Sequence, residues 1–253
     1  FPMIAKKTFP ERKFELESDH LTEEMYALAE ETVFLNNVPI MLSLQQDYIV
    51  GILGTPQQKA ELIHNLMMQI VLTHSYDEVK LILIFNQEDA AIAQYIRYLH
   101  HNWNNSRNIR FLASTPADAL QISEYLNKEL GYIHDESNRE NALKKMPSYV
   151  VIALDKKLFD CVEIFKELLI EESYCGVSIL AAFDGIPKEC RKIIDLRTEV
   201  KTVDLTNPEN DEQTFALDSY QKDVANSSMH ALMKIKLKIE SESYLPDTLS
   251  FLE

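Results

Sequence analysis

The stretch Tyr48-Ile-Val-Gly-Ile-Leu-Gly54-Thr-Pro-Gln-Gln-Lys59-Ala60-Glu61-Leu62 constrains the fold more than any other part of the chain. Its first part, Tyr48 to Leu53, is an apolar run of strand length. A Gly-led loop follows. Leu62, Leu66, Met67, Ile70 and Val71 then recur at spacings of three and four, the period of a helix with one buried face. Strand, loop and helix in this order are the layout of a phosphate-binding loop. The chemistry departs from the layout. Counting from Gly54, the places of the second glycine, the lysine and the hydroxyl residue hold Lys59, Ala60 and Glu61.

Each departure has a physical meaning. A phosphate cradle is a run of inward-facing backbone N–H groups, made accessible by glycines at positive φ. Pro56, directly after Thr55, removes one donor from that run. Ala60 supplies no positive charge, and the Glu61 carboxylate replaces the hydroxyl that would hold Mg²⁺. An acid in the first helical turn satisfies the helix's positive end and repels phosphate. Shifting the register by one residue gives Lys59 the lysine's role but leaves Ala60 where the hydroxyl belongs. An ordinary strand–helix turn of an α/β protein accounts for the stretch equally well.

The rest of the chain alternates strands and helices. Strands are expected at Val38–Leu44, Val79–Phe85, Ile109–Leu112, Tyr149–Leu154, Val177–Ala182 and near Thr198–Leu205. Phe14-Glu-Leu-Glu reads as a short edge strand and Gln45-Gln-Asp47 as a turn. Helices are expected at Leu21–Glu31, Ala90–Leu99, Pro116–Gly131, Lys157–Glu171 and Met229–Ile239, with a polar surface excursion over Tyr132–Lys145. Such alternation predicts a mostly parallel sheet with helices on both faces. Three parts are read along the chain: a linker over 1–30, the α/β domain over 31–206, and an acidic connector over 207–253. A start at Phe1 with no signal-peptide pattern reads as a piece of a longer protein.

Composition narrows the function classes. A net charge of −15 argues against nucleic acid or an anionic membrane as the main partner. No apolar run reaches the length of a membrane span. Cys161, Cys175 and Cys190 are an odd number with no ligand-type pairing, so they read as reduced, buried small hydrophobes. His100-His101 beside Trp103 reads as a helix end with a docked Trp, since adjacent helical residues face apart. No metal site is expected.

The second requirement of a phosphate-transferring site is a strand ending in an acid that holds Mg²⁺. Val150-Val-Ile-Ala-Leu154-Asp155 offers one carboxylate, followed by Lys156 and Lys157 where a second acid would help. Asp155 at a strand-to-helix junction also reads as a helix cap. The strand Val177–Ala182 ends in Phe183-Asp184-Gly185, and an acidic Asp184 suits poorly a role in sensing a terminal phosphate.

Taken in order, Asn37-Val-Pro-Ile-Met-Leu-Ser-Leu, Val50-Gly-Ile-Leu-Gly, Leu72-Thr-His-Ser-Tyr-Asp-Glu-Val-Lys-Leu, Leu99-His-His-Asn-Trp and Ile186-Pro-Lys-Glu-Cys-Arg-Lys-Ile-Ile resemble one family. It is the FtsK/SpoIIIE-type ATPases of type VII secretion in Gram-positive bacteria, the EssC/YukB/EccC proteins. The resemblance lies in their degenerate membrane-proximal ATPase domain and covers about residues 30 to 205. Leu245-Pro-Asp-Thr-Leu-Ser-Phe-Leu resembles the run into the next module. It implies a RecA-like P-loop NTPase fold in a membrane-anchored, hexameric export motor at the cytoplasmic face of the cell membrane. The implied partners are adjacent ATPase modules, the transmembrane segment of the same chain and secretion-machinery subunits. The degenerate nucleotide-binding loop falls on Gly54, Thr55, Lys59, Ala60 and Glu61, and the degenerate Walker B strand on Leu154 and Asp155. The expectation is a non-hydrolysing module with no cofactor. The alternatives are a residual ATP- and Mg²⁺-using motor built on Lys59 and Asp155, or an interaction scaffold presenting Phe34, Tyr48 and Trp103 together.

Overall fold

A computed structural model describes residues 3–4, 20–30, 34–35, 38–131, 136–207, 212–218 and 221–235. Its elements run β1 (Met3–Ile4), α1 (His20–Glu30), β2 (Phe34–Leu35), β3 (Ile49–Leu53), α2 (Pro56–Thr73), β4 (Val79–Ile84), α3 (Ala90–Ile96), β5 (Leu112–Ala113), α4 (Pro116–Glu129), α5 (Glu136–Leu143), β6 (Ser148–Ala153), α6 (Lys156–Phe159), α7 (Glu163–Ile170), β7 (Val177–Ala181), β8 (Lys192–Asp195), β9 (Lys201–Asp204), β10 (Glu212–Thr214) and α8 (Lys222–Leu232). β1 and β2 form a small antiparallel pair.

The main sheet has eight strands in the order β10-β9-β8-β3-β7-β6-β4-β5. From β8 to β5 every pairing is parallel, and β9 and β10 add antiparallel at the other end. Strands buried on both faces need no polar side, and β4, Val-Lys-Leu-Ile-Leu-Ile, is buried at every position. Its side chains alternate. Ile82 and Ile84 point into a core with Phe111, Ile122 and Leu126 of α4, and Phe165 and Leu168 of α7. Leu81 and Leu83 point into the opposite core with Leu62, Ile63 and Met67 of α2, Ile96 of α3 and Met229 of α8. Each such aliphatic side chain contributes about 1.5–3 kcal/mol on full burial.

Several elements differ from the sequence reading. Val38–Leu44 is not a strand: β3 already pairs with β7 and β8, which leaves no edge for it. Leu42 and Leu44 instead pack on the core, and the Leu44 carbonyl accepts from the Ser178 hydroxyl at 2.7 Å. The single helix expected over Lys157–Glu171 is two helices, broken around Val162. Val162 is wholly buried, and the Ser123 hydroxyl of α4 accepts from the Glu163 N–H at 3.0 Å, capping α7 anew. The polar stretch expected as an excursion contains α5, whose Arg139 pairs with Glu171 at 3.1 Å. β8 and β10 were not anticipated. α8 begins and ends seven residues before the expected Met229–Ile239 helix, whose last four residues lie outside the described part. β10 and α8 fall in the segment read as a connector, yet they extend the sheet and the core. Phe14–Glu17 and residues 244–252 also lie outside the described residues.

Cys175 and Cys190 are buried, Cys161 is half-buried, and all three are free thiols. Burial pushes the Cys190 thiol up to about 12, which keeps it protonated and inert. His100–Asn102 forms a short 3₁₀ turn rather than an α-helical end. Burial lowers the His101 pKa, and its Nε2 lies 2.9 Å from the His74 carbonyl. Among the described residues no cluster of His, Cys, Asp and Glu could hold a metal ion, and no helix is long and apolar enough to cross a membrane.

One buried charge interrupts the sheet. Lys80 on β4 is 2% exposed, and its ammonium lies 5.6 Å from the centre of the Tyr76 ring. Burial pushes its pKa down to about 8, Arg107 adds to this, and Asp77 opposes it. The folded pKa lies below the ordinary 10.5, so the folded state carries a penalty below pH 8 that fades as pH rises to 10.5. Lys80→Met should therefore raise stability at pH 7 by roughly 1–3 kcal/mol, and by much less near pH 10.5. Urea denaturation of both proteins at the two pH values checks this. An equal gain at both would sink it.

Candidate functional site

Six parallel strands end on the same edge of the sheet, where α/β folds commonly bind ligands, and five of them lead to the candidate residues. β3 delivers Gly54, Thr55 and Lys59. β4 leads to Asp89, β6 to Leu154 and Asp155, β7 to Asp184, and β8 to Leu196 and Arg197.

The connection from β3 to α2 is only Gly54-Thr55. Thr55 is the helix N-cap and Pro56 is at the first helical position, where its missing N–H costs nothing. Thr55 and Gln58 form a capping box. The Gln58 N–H donates to Thr55 Oγ1 at 3.4 Å, and the Thr55 N–H and hydroxyl both donate to Gln58 Oε1 at 2.9 Å. The Gln58 amide then donates across to the Leu196 carbonyl at 2.7 Å. Of residues 55–58, only Gln57 keeps a backbone N–H with no partner among the described residues.

Gly54 has a packing reason. A Cβ there would lie 3.0 Å from Leu196 Cβ and 3.4 Å from Gln58 Oε1. The glycine lets β8 approach the turn.

Lys59, Ala60 and Glu61 lie on α2 itself, in its first two turns. Lys59 is 8% exposed, and its ammonium reaches the exposed Asp184 carboxylate at 3.4 Å. Ala60 is half-buried against the α2 core, and Glu61 is exposed. Asp155 caps α6, its carboxylate accepting from the Leu158 N–H at 2.9 Å. Leu154 packs partly buried on the α2 side of the sheet.

Asp89 joins this group and was not picked out from sequence. Burial, with Glu88 and Asp155 nearby, pushes its carboxyl pKa up, while the Lys59 ammonium pulls it back. Its signal was only an acid three to five residues past a buried strand, a common arrangement. Asp195 and Arg197 form a two-pronged pair at 2.9 and 2.7 Å, which holds the Asp195 carboxyl below the usual range. The edge therefore gathers one buried ammonium, Lys59, near the carboxylates Asp89, Asp155 and Asp184.

The trio Phe34, Tyr48 and Trp103 does not form a shared surface. Tyr48 is 5% exposed, donates to the Glu171 carbonyl at 2.9 Å and lies under the Arg191 guanidinium. Trp103 bridges to Arg110 near β5, on the far side of β7, β6 and β4. The Phe34 side chain lies outside what the structure describes.

The sheet order and the β3–α2 junction define a RecA-like α/β domain of the P-loop NTPase fold. The sequence is 20% identical over 265 aligned residues to the type VII secretion system protein EssC of Staphylococcus aureus (strain MSSA476), and equally so to that of strain MW2. The match takes in 98% of this chain and 17% of that protein, so the chain spans about one-sixth of the length of its curated relatives. No family model matches the sequence.

Among solved structures, EssC (ATPases 2 and 3) from Geobacillus thermodenitrificans aligns with a TM-score of 0.55 and 13% identity. It covers 82% of this chain and 46% of that one. EccC (ATPases 2 and 3) of Thermomonospora curvata, solved with a signal sequence peptide, aligns at 0.53 and 12% identity, over 80% and 44% of the two chains. The cytoplasmic domain of EssC aligns at 0.51 with 14% identity, over 80% and 46%. The chain is thus similar to EssC over nearly all of its own length, and its fold is that of the EssC and EccC ATPase domains.

The capping box makes a direct prediction. Gln58→Ala removes both the cap and the bond to Leu196 and should cost about 1–2 kcal/mol. Thr55→Val should cost a similar amount, and the double variant less than the sum, because the two side chains act as one unit. Denaturant midpoints of the three variants decide it; strict additivity would contradict the coupling.

Proposed function

We propose that this domain is a non-hydrolysing module of a type VII secretion motor. It couples the membrane-side part of the parent protein to ATPase modules further along the same chain. The observation that carries this reading is the closed first turn of α2. Groups that would face a phosphate are spent on one another: Thr55 on Gln58, Gln58 on Leu196, and Lys59 on Asp184. Asp155, at the end of β6, spends its carboxylate on α6. The similarity to EssC supports a setting in type VII secretion; in this reading the parent works at the cytoplasmic face of the membrane as a ring of like subunits and exports protein rather than moving nucleic acid.

A second reading rests on Lys59. Its ammonium sits at the carboxyl edge of the parallel strands, and Asp184, being exposed, is free to swing away. In that reading Lys59 and Asp155 would hold ATP and Mg²⁺ through a non-standard loop.

Calorimetric titration with ATP and Mg²⁺, repeated in excess EDTA, separates the two. The expected outcome is no binding heat up to about 1 mM nucleotide, the affinity at which binding free energy falls to roughly −4 kcal/mol. Binding that disappears in EDTA and in Lys59→Ala would establish the second reading instead.

A further inference from the structure

Lys80, the second residue of β4, lies at the end of the parallel strands opposite the candidate site. It is 2% exposed, and its ammonium makes no ion pair or hydrogen bond among the described residues. Lys59, Lys144, Lys192 and Lys201 each meet a carboxylate. In a chain with 40 acidic residues, Lys80 is left with the Tyr76 ring, 5.6 Å away. A ring face returns less than the burial of an ammonium costs.

A second cation without a counter-ion bears on it. Arg107 is exposed and forms no ion pair among the described residues. It is held on the turn built by buried Asn104, whose Oδ1 accepts from the Asn108 and Ile109 N–H groups at 3.0 and 3.1 Å. Its φ of 55° is left-handed, a conformation that a non-glycine residue keeps only where its surroundings enforce it. Burial pushes the Lys80 pKa down to about 8; Asp77 opposes this and Arg107 adds to it. Burial also lowers the His101 pKa, and the Lys80 charge contributes to that. Asp77 is exposed, and its carboxylate already accepts from the Ser75 hydroxyl. A negative charge in place of the ammonium would relieve Arg107 and His101 together.

We propose that Lys80 is a carbon dioxide site, where the neutral amine takes up CO₂ as a carbamate compensated by Arg107. The Nζ lone pair attacks the carbon and forms the N–C bond. One C–O π pair moves onto oxygen, an N–H proton leaves to water, and –NH–COO⁻ remains. The step needs no other reactant.

The surroundings favour CO₂ over a free anion. An anion has to cross the field of a chain carrying −15 and shed its water to reach a side chain 2% exposed. CO₂ is small and uncharged and meets neither barrier. It reacts only with the neutral amine. Half a unit below a pKa of about 8, about a quarter of the Lys80 amines are neutral, against about one in a thousand for a lysine at 10.5. Burial disfavours the carbamate as it does the ammonium, so the neighbouring charges decide. Carbamate formation turns the repulsion from Arg107 into attraction, while Asp77, which favours the ammonium, opposes it. The reaction needs the folded site, so CO₂ stabilises the fold by mass action.

Carbon-13 NMR of the whole chain in about 20 mM ¹³C-bicarbonate, sealed at roughly pH 7.5, tests this. Ethylation of the carbamate with triethyloxonium, followed by peptide mass spectrometry, locates it. One carbamate is expected on Lys80, beside any on the α-amino group, whose ordinary pKa is about 8. Lys80→Met should leave only the α-amino signal. Arg107→Gln should lower the Lys80 occupancy about three- to tenfold, and Arg107→Lys should restore most of it. Thermal melts confirm folding, and Arg107→Gly, which suits the left-handed turn, replaces Arg107→Gln if that variant fails to fold. The wild-type urea midpoint should rise with bicarbonate at fixed pH and ionic strength, and that of Lys80→Met should not. No carbamate on Lys80 would overturn the proposal. So would equal labelling of exposed lysines, or an occupancy indifferent to the Arg107 changes. A midpoint raised through Lys80 by phosphate or chloride, with no carbamate, would overturn it in favour of a bound anion.

Discussion

The contact between Gly54, Gln58 and Leu196 is the hinge on which both the fold and the edge chemistry turn. The missing Cβ at Gly54 lets the end of β8 lie against the β3–α2 turn, and the Gln58 amide fixes it there through the Leu196 carbonyl. β8 is the strand on which β9 and then β10 are added. A larger residue at position 54 would push β8 away and loosen that whole side of the sheet. The same contact consumes the donors of the first turn of α2. Packing and the loss of an open anion cradle are thus two results of one arrangement.

Much of this was legible in the sequence because it depends on local pattern. The apolar run before Gly54 and the three-and-four spacing after it specify β3 and α2, and the continuous apolar strands specify a parallel sheet. The Thr55-x-x-Gln58 spacing is itself a capping signature, present to be read but overshadowed by the comparison with a phosphate loop. What was not legible depends on partners distant in sequence. Val38–Leu44 has strand-like composition, but whether a strand forms depends on whether an edge is vacant, and β7 and β8 fill both sides of β3. β8 is four residues with a lysine at its start, too short for a periodic signal. The break at Val162 depends on Ser123, forty residues earlier.

Each cation named at the carboxyl edge is met by a carboxylate. Lys59 is buried where its ammonium meets Asp184, and it also offsets Asp89, whose own carboxyl is disfavoured by burial and by Asp155. Arg197 is neutralised by Asp195. The amino edge is tied down in the same way, with Lys192 on Asp47 at 2.8 Å and Arg191 reaching both the Gln46 carbonyl and the Tyr48 hydroxyl. Partly buried pairs of this sort hold loops in register, and each leaves a costly unpaired charge if one member is lost.

The pairing of β3 has a consequence for how the protein is made. β3 is complete at residue 53, but its neighbours β7 and β8 begin only at residues 177 and 192. A ribosome adding roughly 5–20 residues per second needs about 7–30 s to travel from one to the other. During that interval Val50, Gly51, Ile52 and Leu53 have α2 to shelter one face and no strand on either side. The first strand of the sheet is among the last to be paired, and the slower the synthesis, the longer that segment stays open to pairing with another edge.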